Sequence, residues 1–162
     1  MLTVGGVGGI LSGLIGFAWW IALIMLFIDP YTAVGMLFLL IYGLPIGGVF
    51  LIIHAIGFFG VGKKFGKGAA TAAGVLGLLY GIFFLAAGIL FLGATPETIL
   101  ASISMFLFAA IFGFIFAILA IVGFSGTEKG TLGLVGGILT LIGLSPIGFI
   151  LMGACMFQQS KL

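Results

Sequence analysis

"TLGLVGGILTLIGLSPIGFILMGACMF", residues 131–157, is the stretch on which the fold turns. Read as one helix it makes a fifth crossing of a membrane; read otherwise it leaves four. It is apolar throughout and longer than the ~20 residues a helix needs to cross a bilayer. It also opens on a word the chain has already used: "TLGLVGGIL" at 131–139 repeats "TVGGVGGIL" at 3–11 in seven of nine positions. The reading taken here is a single span.

Four more runs of the same kind precede it, at 3–28, 31–60, 69–93 and 97–124. Of 162 residues 64% are hydrophobic and 5% charged, against roughly 25% charged in a soluble domain. The eight charged residues, Asp29, Lys63, Lys64, Lys67, Glu97, Glu128, Lys129 and Lys161, cannot make a water-soluble surface. In lipid every backbone N–H and C=O needs a partner within the protein, so each run is helical. The expected fold is an all-α polytopic membrane bundle of five transmembrane helices, a single domain over 1–162. No Lys or Arg precedes the first run, and no small-residue cleavage site with a soluble domain follows it, so it is expected to stay as a helix rather than leave as a signal peptide.

The repetition gives the bundle its expected plan. Residues 71–79, "TAAGVLGLL", carry the word of 3–11 and 131–139 a third time. The even runs answer each other too, opening "DPYT" at 29 and "TPET" at 95, with Pro at the first helical position where its missing N–H costs nothing. Their far ends agree loosely, "AIGFFGVGKK" at 55 against "AIVGFSGTEK" at 120. The chain therefore reads as two and a half tandem helical hairpins. Such repeats place equivalent helices parallel about an axis along the membrane normal.

The repeated words are rich in glycine, 30 in all, at the four-residue spacing that lets membrane helices approach closely. Gly5, Gly9 and Gly13 form one ridge, Gly77 and Gly81 extend Ala73, Gly113 lies between Ala109 and Ala117, and Gly133 and Gly137 repeat the pattern. The last run has no sixth helix to cover its glycines, so it is expected to pack on another chain.

Three of five lysines sit at 63–67, and short basic loops stay cytoplasmic. That rule puts the N-terminus inside and, with five crossings, the C-terminus and Lys161 outside a cell membrane. Lys161 then lies on the side the rule disfavours; four helices would remove the conflict, but every run is long enough to cross.

Chemistry-bearing residues are few. His54 is the one ionisable side chain within a span, a candidate proton relay or haem or metal ligand, and its counterpart in the repeat is Leu119. With no second His, Asp or Glu in the membrane, the plainer reading is a hydrogen-bonded interfacial histidine. Met25, Met36, Met105, Met152 and Met156 fall toward the expected outer helix ends, and Met152, Cys155 and Met156 form a soft-ligand set. Thioether and thiolate suit Cu(I), yet Met is also ordinary apolar filler. Pro45 and Pro146, in "LPIG" and "SPIG", fall mid-run and are expected to kink or interrupt their helices. Paired breaks of this sort point to transporter sites.

The function expected from these residues is non-catalytic: a structural or accessory membrane protein, without cofactor or nucleic-acid partner, that packs with itself or with a larger membrane complex. The alternative is a small channel or facilitator for a neutral or apolar solute. The two differ in whether Ser12, Tyr42, Tyr80, Ser102, Ser104, Thr140 and Ser145 gather around a cavity or scatter into bonds between helices.

Overall fold

The computed structural model describes residues 1–29, 31 and 37–162. Pro30, Thr32 and Met36, part of the expected "DPYT" start and of the outer methionines, lie outside the described residues. Among the described residues there are six helices and no strand: α1 (Leu2–Ile28), α2 (Leu37–Phe65), α3 (Gly68–Phe91), α4 (Pro96–Phe124), α5 (Thr131–Leu141) and α6 (Ser145–Ser160). Four of them, α1 to α4, are long and apolar enough to cross a membrane.

Many large aliphatic side chains point outward. On α4, Leu100, Ile103, Leu107, Ile111, Phe114 and Val122 are more than half exposed, while the buried face carries the small Ser102, Ala109, Ala117, Ala120 and Gly123 together with Phe116 and Phe124. Aliphatic side chains outside, with small residues prominent inside, is the reverse of a water-soluble helix, whose apolar stripe faces the core. It suits helices surrounded by acyl chains.

The "TPET" start is formed as read. Thr95 caps α4, its Oγ1 accepting from Thr98 N–H at 3.3 Å while Thr95 N–H donates to Thr98 Oγ1 at 3.0 Å, and Pro96 sits in the first turn.

The stretch 131–157 is not one helix. It is α5 and α6, separated at Ile142–Leu144, and the reason lies in "GLSP". Gly143 takes φ +91°, a conformation cheap for glycine alone. Its N–H donates to Thr140 O at 3.2 Å while Leu144 N–H reaches back to Leu139 O at 2.8 Å. Those two bonds make a Schellman end for α5. Pro146, in the first turn of α6, then starts a new helix.

The two helices fold back on each other. Gly136 lies against Gly148 and Met152, Cys155 Sγ donates to Lys129 O at 3.3 Å, and Gln159 Nε2 donates to Thr127 Oγ1 at 2.9 Å and Glu128 O at 3.1 Å. Each step forward along α6 meets an equal step backward along α5, so the pair is an antiparallel hairpin. The 11 residues of α5 rise only ~16 Å, about half of a ~30 Å hydrocarbon core.

This corrects the expected end of the chain. Lys64 Nζ donates to Gln159 O at 2.7 Å, so Lys161 lies at the same end of the bundle as Lys63, Lys64 and Lys67, not at the opposite one. Met152, Cys155 and Met156 come to that end as well. The start of α1 joins them, with Met1 and Leu2 against Gly60.

Around the bundle each helix packs on its chain neighbours, and α6 packs on α1, which closes a ring. Inside it stand Phe58 of α2, Tyr80 of α3, Phe116 and Phe124 of α4, and Phe149 of α6; Phe58 meets Phe116 and Phe124 edge to face, and Tyr80, Phe116 and Phe149 meet one another tilted. The glycines singled out above face neighbours within the chain. Gly5 lies on Gly57, Gly9 on the His54 ring and Phe149 O, Gly13 on Pro146 and Ile150, Gly77 on Ala55 and Phe116, and Gly81 on Ile52. Gly113 lies on Tyr80, Gly133 on Phe124 and Gly137 on Ile121. The last pair corrects the expectation that the final run leaves its glycines uncovered, because α5 is seated on α4.

Candidate functional site at the hairpin tip

Where the α5–α6 hairpin turns, it meets two cavities. The first, about 140 Å³, lies among α1, α2, α3 and α6, bordered by Ser12, Trp19, Gly47, Tyr80, Ser145 and Phe149. The second, about 220 Å³, lies on the α4 and α5 side of the tip, bordered by Tyr80, Gly113, Phe114, Thr140, Gly143 and Ser145. Tyr80 and Ser145 border both, so these two side chains and the turn itself stand between them. Each is smaller than the roughly 300–1,000 Å³ of a drug-sized or cofactor-sized site. A solute of a few heavy atoms fits.

Of the seven polar residues in question, four reach these cavities: Ser12, Tyr80, Thr140 and Ser145. The others are engaged elsewhere. Ser102 Oγ donates to Ala87 O at 2.8 Å and ties α4 to α3, Ser104 Oγ donates to Leu100 O of its own helix at 3.1 Å, and Tyr42 is exposed and borders neither cavity. Thr140 Oγ1 also donates to Gly136 O at 2.9 Å, back along α5. Trp19 and Trp20 of α1 wall the first cavity.

His54 lies beside this site rather than in it. It is 1% exposed, and its Nδ1 is 2.9 Å from Gly5 O. A carbonyl only accepts, so Nδ1 carries the proton and donates. Nε2 is left a bare acceptor, buried and without a hydrogen-bond partner. Around the ring stand Phe58, Phe116 and Phe149, all edge to face, with centroids 5.3, 6.4 and 5.7 Å away. The histidine thus joins α1 to α2, and Phe149 separates it from the first cavity.

Cys155 Sγ turns to Lys129 O, whereas Met156 Sδ lies over Gly57 on α2. Among the described residues no group of three His, Cys, Asp or Glu side chains is placed to hold a metal ion. Pro45 stays within α2, and α3 passes against it at Gly88.

Two features escaped the sequence reading. Gln159 is fully buried and binds the α4–α5 turn through its amide; one of two adjacent glutamines gives no warning of that. The aromatic interior was equally silent, since 18 phenylalanines in an apolar chain do not announce which few face inward. The hairpin tip did leave a signal, in Gly143 followed by Ser145 and Pro146. The chain matches no family model, and comparisons with curated proteins and with solved structures gave no significant match.

Proposed function

We propose that this protein is a small membrane facilitator for a neutral solute of a few heavy atoms, with the hairpin tip as its constriction. The observation that carries the reading is the broken backbone at Ile142–Leu144, where α5 turns into α6 with Ile142 and Gly143 exposed, beside two cavities that share Tyr80 and Ser145. Irregular backbone at membrane depth is tolerated only where protein buries it or a cavity solvates it, and interrupted helices are a recurrent way to build a passage. The absence of charged side chains at the tip suits a neutral cargo.

The topology that goes with this reading is four crossings plus a half-crossing hairpin in a cell membrane. All five lysines then fall on one side, which the positive-inside rule makes the cytoplasm, together with both ends of the described chain. Asp29 and Glu97 fall outside. The accessory-subunit reading rested in part on uncovered glycines on the final run. Gly133, Gly136, Gly137 and Gly148 lie against the chain's own helices, which takes that support from it.

The test is flux. Full-length protein reconstituted in liposomes should speed the passage of at least one of water, ammonia, urea or glycerol over protein-free vesicles, read by light scattering or an internal pH dye. Ser145→Leu, which fills space at the tip, should return that flux to the baseline. Baseline rates for every solute with correctly folded protein would leave the structural reading in its place.

A further inference from the structure

We infer that the lysine-bearing end of the bundle holds the headgroup of an anionic phospholipid, in a groove between the start of α1 and the ends of α2 and α6. This rests on the chain being in a membrane, not on transport. The groove, about 620 Å³, is bordered by Leu2, Thr3, Gly60, Lys63, Lys64 and Ser160. It is open rather than enclosed, as a site filled from the bilayer surface must be. Its border brings Lys63 and Lys64 together with the hydroxyl of Thr3, while Ser160 Oγ donates to Phe157 O at 2.8 Å. A phosphodiester is a singly charged group with several acceptor oxygens, and this set of donors matches it.

The charge around the groove is one-sided. Lys67, Lys129 and Lys161 lie at the same end, where Glu128 is the only acid, while Asp29 and Glu97 belong to the far end. Lys64 is steered by its bond to Gln159 O, which holds its ammonium over the α6 terminus. Lys63 is exposed and makes no hydrogen bond among the described residues. Below the groove Val4 and Val7 are exposed on α1, apolar surface at the depth where acyl chains begin. Basic pockets between helices at a cytoplasmic surface are the usual seats of acidic headgroups, each nearby lysine adding about fivefold in affinity.

The experiment uses the full chain in detergent, titrated separately with phosphatidylglycerol, phosphatidylcholine and inorganic phosphate at matched ionic strength, and read by native mass spectrometry and by the thermal unfolding midpoint. Phosphatidylglycerol should be retained and should raise the midpoint, and the other two should do neither. Lys63→Gln should weaken phosphatidylglycerol about fivefold, with Lys63→Arg restoring it. Lys64→Gln should weaken it too, but that variant also loses the bond to Gln159, so Lys63 decides. Lys129→Gln should leave the affinity within about twofold, since Lys129 does not border the groove and a surface charge away from it is screened. Equal binding of both lipids overturns the inference. So does the same stabilisation from phosphate alone, or a loss from Lys129→Gln as large as from Lys63→Gln.

Discussion

Lys64 and Gln159 are 95 positions apart in sequence and 2.7 Å apart in space, ammonium to carbonyl. That single bond fixes the sidedness of the final segment, since Lys64, in the last turn of α2, and Gln159, two residues before the last lysine, share one end of the bundle. A cysteine at Lys67 and another at Lys161 should therefore react with a membrane-impermeant maleimide from the same side, and a cysteine at Glu97 from the other. Labelling of positions 67 and 161 from opposite sides would restore five crossings.

Glycine should matter by position, not by number. At Gly5 an added methyl meets the backbone of Gly57, which cannot move aside, so Gly5→Ala should lower stability by about 2 kcal/mol or more. At Gly68 nothing lies within 4 Å, and Gly68→Ala should raise stability by about 0.5 kcal/mol through helix propensity. Thermal unfolding in detergent reads both. Equal effects at the two sites would mean that close helix approach contributes nothing.

His54→Leu should destabilise by about 1–2 kcal/mol, because it removes the bond to Gly5 O and leaves a poorer fit among Phe58, Phe116 and Phe149. His54→Phe refills the space but not the bond, and should recover about half of the loss. A stability unchanged in His54→Leu would show the bond to be idle.

Gly143→Ala puts a Cβ on a residue at φ +91°, where the left-handed conformation costs a non-glycine residue about 1–2 kcal/mol. The strain is local to the turn, for nothing lies within 4 Å of the site. Protease sensitivity or hydrogen exchange at 139–146 should rise while the long helices stay protected. Uniform loss of protection across all helices would contradict a turn that yields by itself.

The four long helices were legible because hydropathy over such a length has one outcome in lipid, and the Thr95 cap because Thr, Pro and a second Thr three positions on spell it locally. The fifth run misled for the same reason: a hairpin of 11 and 16 residues is as apolar and as long as one crossing, and hydropathy does not record direction. Lys161 was the telling residue, set on the disfavoured side by a fifth crossing and moved to the favoured one by the hairpin. For the site, the polar candidates Ser12, Tyr80, Thr140 and Ser145 could be named in advance but not gathered, since their meeting depends on where α6 turns back. His54 was readable as an interfacial bond; that its partner is the carbonyl of Gly5 follows only from the crossing of α1 over α2.

The hairpin also gives the ring a seam. There α6 closes on α1, and Gly6 against Gly153 is part of the junction. Until α6 is in place the Gly6 and Gly13 face of α1 is open to lipid, and a chain stopped before Ser145 would leave it so.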